Sequence, residues 1–508
     1  MPKKHQLRIL GALLVVTILA VVQLVSAGNQ QLIFSVTYGG RSFDTAYGLE
    51  WAFGNPSGTL YVVGSSNSFS TPAQTEGIVA MFDENLGSPQ KVMKMQGFTG
   101  AGEFYDVAVP IGISLSNTIA VVGYIPDNYN NRDPVVYWLD KTTLATTLAY
   151  QLTVLGGSAR EEAVSVSFDS QGNTIVAGFS FSSPPLFLVK FSSTGTILWS
   201  LAFQPTGSGA TFIGEPGRRG ALAIDYDNNI IIAGSIFLTG KDYDAFVAKL
   251  DPDGNILWFV SFGGSRREHA YGVALDNIGN IYVTGATNSF SGAAGTYDVF
   301  VARLNPDGNL EWFKAIDIDS QVKSEWAYSI AVIQYDHIYI TGVTFAHDPS
   351  GDMFFAKIAA NGEPLYVIRS NMPGEDRGFK VALNIHSTND VFYVNVAGRS
   401  SANPTPSSFV SASFTVNSPM ITPTPHTTFI IANNIVTVTN ITGSNPLVDI
   451  TASVSSPDTA GARAMVLKFD PPSVSNENKT SIPYVSYLLI ATIISLITLI
   501  AVFIKRRL

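Results

Sequence analysis

Residues 262–312 read FGGSRREHAYGVALDNIGNIYVTGATNSFSGAAGTYDVFVARLNPDGNLEW, and this stretch decides the fold. It contains four short apolar segments, AYGVALD, IYVTG, DVFVARL and LEW, which are separated by polar residues. The connecting sequences NIGN and NPDGN are typical of tight turns between antiparallel strands. Four antiparallel strands in about 50 residues is the size of one blade of a β-propeller.

The second segment of this unit recurs along the chain as an apolar run that ends in glycine. The copies follow one another at spacings of 51 to 59 residues and end at Gly64, Gly123, Gly178, Gly234, Gly285, Gly342 and Gly398. The repeat predicts an all-β, seven-bladed propeller.

The two ends of the repeat array are each incomplete. LIFSVTYGG (32–40) matches the fourth strand ILWFVSFGG (256–264), whereas the late third strand AMVLKFD has no fourth strand after it. We therefore expect the N-terminal strand to close the last blade, because closure pairs two free sheet edges. Residues 399–463 are either a long insertion in the seventh blade or a degenerate eighth blade of a propeller over residues 31–470.

Both termini carry membrane-directed patterns. Residues 1–27 have a basic start, an apolar run and a small-residue cleavage site, which indicates a signal peptide or an uncleaved signal anchor. Residues 484–504 contain no charge and are long enough to cross a bilayer as a helix. A stalk at 471–483 precedes this predicted transmembrane helix, and the basic tail at 505–508 is expected in the cytoplasm. The sequence thus predicts a single-pass protein of the cell membrane with an extracellular propeller.

Composition excludes several classes of function. The net charge of −9 argues against nucleic acid as a partner. The absence of cysteine excludes disulfides, zinc–thiolate sites and thiol catalysis.

The segments GNIYVTGATNS and DVFVARLNPDGNLEW resemble the SBBP-type β-propeller repeats of exported bacterial and archaeal surface proteins. The resemblance covers roughly residues 32–470 and is closest at 240–345. It implies a surface binding or scaffolding role, and it provides no catalytic signature to transfer.

An acidic residue recurs just before the predicted innermost strand of most blades. Because innermost strands surround the central channel of a propeller, these carboxylates are candidates for a ring at one mouth that binds a ligand or a cation such as Ca²⁺. The alternative is that each carboxylate accepts hydrogen bonds locally, as acids at turns do. The residues are Asp44, Glu103, Glu161, Glu268, Glu325 and Asp376.

Other candidate residues are scattered. Arg218 and Arg219 replace the acidic motif in the fourth copy and form either a candidate anion site or a solvated loop pair. Asn440 and Asn478 lie in N-glycosylation sequons. Three tryptophans follow a turn glycine by four residues, and we expect them to pack between blades; they are Trp199, Trp258 and Trp312.

Three functions stay open at this point. The first is a membrane-anchored extracellular propeller that binds an envelope protein or glycan through its loops. The second is an enzyme that acts on polysaccharide or peptide through acidic residues at the channel mouth. The third is a stalked component of a surface coat. No catalytic motif is recognisable, no cofactor other than possible Ca²⁺ is indicated, and the sequence favours binding over catalysis.

Overall fold

The structure is a computed structural model. It describes residues 32–38, 44–52, 58–68, 74–83, 89–95, 101–110, 117–126, 131–157, 159–213, 221–319, 323–333, 337–385, 392–401, 409–441, 447–449 and 463–469. Residues Gln31–Phe469 form one compact unit. Within these ranges, no helix is long and apolar enough to cross a membrane. The predicted signal peptide, stalk, transmembrane helix and tail lie outside the described residues.

The compact unit contains seven antiparallel sheets, which are the blades of the propeller. The first strand of the chain, β1 (Leu32–Tyr38), belongs to the last blade. Blade 1 contains β2 (Asp44–Ala52), β3 (Thr59–Ser66), β4 (Glu76–Asp83) and β5 (Lys91–Met95). Blade 2 contains β6 (Glu103–Ala108), β7 (Thr118–Pro126), β8 (Arg132–Asp140) and β9 (Thr146–Val154). Blade 3 contains β10 (Glu161–Phe168), β11 (Thr174–Ser180), β12 (Leu186–Phe191) and β13 (Ile197–Pro205).

The next three blades follow in chain order. Blade 4 has a divided inner strand and contains β14 (Ser208–Ile213), β15 (Leu222–Ile224), β16 (Ile230–Leu238), β17 (Tyr243–Leu250) and β18 (Ile256–Phe262). Blade 5 contains β19 (Glu268–Leu275), β20 (Ile281–Thr287), β21 (Asp298–Leu304) and β22 (Leu310–Ile318). Blade 6 contains β23 (Glu325–Ile333), β24 (His337–Thr344), β25 (Asp352–Ile358) and β26 (Pro364–Ser370).

Blade 7 is assembled from three distant parts of the chain. Its two inner strands are β27 (Asp376–Ile385) and β28 (Phe392–Ser400), and its third strand is β35 (Arg463–Phe469). The N-terminal β1 supplies the fourth strand, with Leu32 opposite Phe469 and Tyr38 opposite Ala464. The predicted closure of the last blade by the N-terminal strand is therefore confirmed.

The described strands between β28 and β35 form a strap that runs around the outside of the propeller. Six short strands add one after another to the outer edges of blades 6, 5, 4, 3, 2 and 1, and all of them pair antiparallel. These strands are β29 (Phe409–Ala412), β30 (Phe414–Asn417), β31 (Thr424–Pro425), β32 (Phe429–Asn433), β33 (Val436–Asn440) and β34 (Leu447–Asp449). Within the predicted range 399–463, the segment between Ser400 and Arg463 is thus an insertion in the seventh blade, and the eight-bladed alternative is wrong.

Neighbouring blades are joined by apolar packing and by hydrogen bonds from side chains to the backbone. The indole N–H of Trp199 in blade 3 donates to the carbonyl of Pro252 in blade 4, at 3.1 Å. Trp258 lies so close to Gly308 of the next blade that an added Cβ there would come within 2.9 Å of the indole ring. Gly308 has a positive φ of 85°, as the turn requires. The expected packing of these tryptophans between blades is confirmed for these two residues.

Candidate functional site

Five of the six predicted carboxylates occupy one equivalent position, at the first residue of an innermost strand. Each lies opposite a serine or threonine on the second strand of its own blade, and all five carboxylates are completely buried. The pairs are Asp44 with Ser66, Glu161 with Ser180, Glu268 with Thr287, Glu325 with Thr344, and Asp376 with Ser400.

The paired hydroxyl groups donate hydrogen bonds to these carboxylates. The Thr287 hydroxyl donates to Glu268 at 2.8 Å, and the backbone N–H groups of Ser289 and Gly264 donate to the same carboxylate at 3.0 and 2.7 Å. Ser400 donates to Asp376 at 2.5 Å. Such contacts fix the ends of the first and second strands, so each carboxylate has a structural partner within its own blade.

Glu103 differs from the other five carboxylates. It lies opposite Tyr124, and Phe104 lies opposite Gly123, so Gly102 occupies the carboxylate position of blade 2. Glu103 therefore lies one residue further along its strand than the other five carboxylates. It occupies the position that Glu162 has in blade 3 and His269 has in blade 5.

A second acid lies near some of these carboxylates, at the start of the third strand in the preceding blade. Burial, together with the charges of Asp298 and Asp317, raises the pKa of Glu325 to about 10. Burial and then Asp317 raise the pKa of Asp298 to about 7. Burial likewise raises the pKa of Asp376 to about 7, with a smaller contribution from Asp352.

These pairs do not amount to a metal centre in the described part of the chain. There, no three His, Cys, Asp or Glu side chains are grouped so that they would hold a metal ion. The carboxylates are spread one to a blade, and the predicted cation ring stays a prediction.

The channel next to the carboxylates is filled by bulged residues of the innermost strands. In six blades the register shifts by one residue at this point, and the extra residue is Tyr47, Tyr105, Val164, Tyr271, Tyr328 or Phe379. All six side chains are buried. The five rings form a continuous chain of contacts with centroids 5.5 to 5.9 Å apart. We call these six residues the aromatic layer.

A cavity of about 30 Å³ adjoins the aromatic layer, and Asp106, Ser329 and Lys380 contribute to its lining. The Lys380 ammonium lies 3.3 Å from Asp106 across the channel, and Ser165 donates to the same carboxylate at 2.8 Å. Burial raises the pKa of Glu50, which also interacts with Lys380, to about 7. A space of this size holds a water molecule or two, so it is too small for an organic substrate.

The face at which the innermost strands begin, which we call the mouth face, carries a run of half-buried rings. Tyr243, His269, Tyr297, Trp326 and Phe345 follow one another across blades 4, 5 and 6, and we call them the rim arc. Successive ring centroids are 5.3, 6.2, 6.2 and 5.2 Å apart. The arc thus forms a contiguous surface of aromatic side chains with partial access to solvent.

Two arginines adjoin the end of the rim arc. The guanidinium of Arg377 lies over the Phe345 ring at 5.8 Å, and its Nε is 2.7 Å from the Glu375 carboxylate. Arg399 lies opposite Arg377 on the neighbouring strand and binds the same oxygen of Glu375. A similar pair, Arg132 and Arg160, shares Glu162 at the junction of blades 2 and 3, with 2.6 Å contacts.

The connections at the mouth face vary in length. Between the second and third strands the chain uses residues 239–242 in blade 4 and residues 288–297 in blade 5. At the opposite face the third and fourth strands of blades 4 and 5 are joined by the equivalent turns 251–255 and 305–309. Variation in loop length is typical of the face of a scaffold that carries binding residues.

The remaining predicted residues are placed as follows. Arg218, Arg219 and Asn478 lie outside the described residues. Asn440 is the last residue of β33 on the strap. The aromatic layer, the rim arc and the arginine pairs were not among the predicted site residues. The sequence contains a signal for the aromatic layer, because Tyr271 and Tyr328 each follow a predicted acid by three residues.

Part of blade 5 matches a known domain model. Residues 279–311 match a β-propeller domain of unknown function, DUF5122. This match supports the propeller fold found above, whereas the resemblance to SBBP-type repeats stays a resemblance.

Two curated proteins and one solved structure are also similar to parts of the chain. An uncharacterized WD repeat-containing protein, L264, from Acanthamoeba polyphaga mimivirus is 24% identical over an alignment of 210 residues, and the match covers 33% of this chain and 15% of that protein. The regulatory protein FlaEY of Caulobacter vibrioides is 25% identical over an alignment of 142 residues, and the match covers 24% of this chain and 14% of that protein. The chain therefore matches only about one seventh of the length of either relative. A luciferin-regenerating enzyme aligns with a TM-score of 0.32 at 12% identity, covering 61% of this chain and 88% of its own.

Proposed function

We propose that this chain is a membrane-anchored extracellular β-propeller that serves as a binding or scaffold module for an envelope protein or glycan. The observation that carries the proposal is the rim arc, because aromatic side chains and arginine dominate the energetically important centres of binding surfaces. The partial similarity to a WD repeat-containing protein agrees with a role as an interaction scaffold.

The anchoring part of the proposal rests on the sequence. The uncharged segment at 484–504 and the basic tail at 505–508 have the pattern of a transmembrane helix with a cytoplasmic end. Together with the predicted export signal at 1–27, this pattern supports an extracellular location for the propeller.

Binding is preferred to catalysis because of where the acids lie. An enzyme that used the predicted carboxylates would need them at an accessible surface, but Asp44, Glu161, Glu268, Glu325 and Asp376 are completely buried. The aromatic layer also fills the channel beside them.

The proposal is tested by recovering the full-length chain from detergent-solubilised envelope, after cross-linking, with its neighbours. Tyr297→Ala and Trp326→Ala remove two rings of the rim arc, and we expect each to lower recovery of the cross-linked partner severalfold. Leu198→Ala is the matched control, because Leu198 is 52% exposed on an outer strand, away from the mouth face. Equal recovery with all three variants would show that the rim arc does not bind the partner.

A further inference from the structure

The rim arc ends next to the Arg377–Arg399 pair, and this arrangement indicates the chemistry of the ligand. Trp326 and Phe345 contact each other edge to face at 5.2 Å, and Arg377 lies over the same Phe345 ring. Aromatic surface and guanidinium groups therefore lie side by side at this end of the rim arc. A ligand that contacts both has to combine a flat apolar face with an anionic group.

The two guanidinium groups retain donors for such an anion. Each arginine has five N–H donors. Arg399 donates one hydrogen bond to Oε1 of Glu375, and Arg377 forms an ion pair with the same oxygen. The side chains of Arg377 and Arg399 are 22% and 16% exposed. Asp348, an acid on the adjoining loop of blade 6, is already engaged by the backbone N–H groups of Ser350 and Gly374 at 2.7 and 3.0 Å.

We propose that the Arg377–Arg399 pair binds the carboxylate of an acidic sugar whose ring packs on the rim arc, so that the ligand is a uronate-containing polysaccharide. This inference rests on the proposed function and names the chemistry of its ligand. Arginine forms paired, charge-assisted hydrogen bonds with carboxylates, and the C–H face of a pyranose matches an aromatic ring in shape and polarity.

The sugar is favoured over an acidic peptide because of the length of the arc. Five successive rings extend from Tyr243 to Phe345 beside the arginine pair. Successive sugar rings of a polysaccharide can each pack on a ring of the arc. A glutamate side chain of a peptide can pair with an arginine without contacting the aromatic rings. Each ring of the arc is partly exposed to solvent, and we expect the sugar rings to pack on these exposed parts.

The test measures binding of three polymers to the full-length chain, purified in a mild detergent. The probes are polygalacturonate, neutral dextran and poly-glutamate, titrated by calorimetry at two salt concentrations. We expect polygalacturonate to bind, dextran to bind at least tenfold more weakly, and the affinity for polygalacturonate to fall with added salt, since exposed charges are screened.

Three variants locate the site. Arg377→Gln should lower the affinity for polygalacturonate by roughly tenfold or more, the usual effect of losing a hydrogen bond to a charged group. Arg377→Lys keeps the charge and the packing of the stem but loses the planar fork, so it should also weaken binding. Arg160→Gln removes the same charge from the pair at blades 2 and 3, which does not adjoin the arc, and should change the affinity less than threefold. Unchanged thermal midpoints confirm that all three variants are folded.

Two outcomes would overturn the inference. If poly-glutamate binds as tightly as polygalacturonate and depends equally on Arg377, the ligand is an acidic peptide. If polygalacturonate does not bind, or if Arg160→Gln weakens it as much as Arg377→Gln, the Arg377 pair is not the site. Neither outcome affects the cross-linking result with Trp326→Ala, so failure of this inference is distinguishable from failure of the proposed function.

Discussion

At the scale of single residues, the recurring carboxylates form a structural system that is held together by hydroxyl groups. The five blades with an acid at the start of the innermost strand have serine or threonine two residues after the glycine of the second strand, as in Gly285-Ala-Thr287. The two blades without this acid have isoleucine there, Ile125 and Ile236. Acid and hydroxyl occur together because a buried carboxylate needs a donor, and an isoleucine provides none.

Glu325 is a buried acid whose ionisation is strongly opposed by its surroundings. Its folded pKa of about 10 lies above the ordinary value of 4.5, so the folded state holds a proton that the unfolded state releases. This contribution to stability is fully present below pH 4.5 and is lost as the pH rises toward 10, by at most about 1.4 kcal/mol per pH unit.

We therefore expect Glu325→Gln to stabilise the protein at pH 8 by roughly 1–3 kcal/mol and to change little at pH 4.5, because the neutral amide needs no proton. Thermal unfolding at several pH values measures the effect. Asp251→Asn is a control whose pH dependence has the opposite sign. Hydrogen bonds from Asn255 and the turn backbone lower the pKa of Asp251, so the stability that its carboxylate contributes is lost as the pH falls. A lower midpoint for Glu325→Gln at pH 8 would contradict the expectation.

The shared position of five of the six carboxylates could be predicted from the sequence. The sequence also contains a signal that Glu103 occupies a different position. In four blades an aromatic residue follows the acid by three positions, as Tyr271 follows Glu268, whereas Tyr105 follows Glu103 by two. That offset already indicates that Glu103 occupies a different position. The contact between the rim arc and Arg377 could not be predicted, because it depends on how neighbouring blades are oriented.

At the scale of elements, the strap is the part of the fold whose arrangement the sequence did not decide. Its strands are two to five residues long, and they pair with outer strands that lie far away in the chain, as β33 does with β9. Segments this short show no reliable periodicity, so sequence alone cannot choose between an insertion and an extra blade. The repeated blades were predictable because each pairs mainly with its own neighbours in sequence.

The strap protects the outer edges of six blades, because an open edge strand is a template for aggregation. It is anchored by a few buried side chains, including Val436 and Leu447, while Met420 between β30 and β31 is fully exposed. The strap is hydrogen-bonded to blades on both sides of Met420, so we expect it to stay attached if the chain is cut there.

We expect that cutting a protease site inserted after Met420 leaves the two fragments associated. The C-terminal fragment contains β31 to β35 and pairs with blades 4, 3, 2, 1 and 7, so it has many contacts to retain it. Size-exclusion chromatography after cleavage, followed by denaturing gel electrophoresis, measures this association, and the uncut insertion variant is the control. Separation of the fragments under native conditions would show that the strap pairings are too weak to hold the closing strand β35.

At the scale of the whole molecule, closure depends on blade 7, whose strands come from both ends of the propeller sequence. Val466 of β35 packs in one buried cluster with Leu49 and Trp51 of blade 1. Lys380 of blade 7 reaches past blade 1 to Asp106 of blade 2. The closing blade is thus bound to its neighbours by apolar packing and by an ion pair across the channel, and its outer edge is completed by β1.

Removing residues 1–38 deletes β1 and exposes the edge of β35, whereas removing only residues 1–30 leaves β1 in place and is the matched control. The longer deletion loses the pairing between Leu32 and Phe469 and its neighbours along the strand. Each lost backbone hydrogen bond is worth about 1 kcal/mol, so we expect a destabilisation of several kcal/mol. The exposed edge should also cause association that increases with protein concentration. Thermal unfolding and light scattering measure the two effects. Equal midpoints and equal scattering for the two deletions would mean that the pairing of β1 with β35 does not contribute to closure.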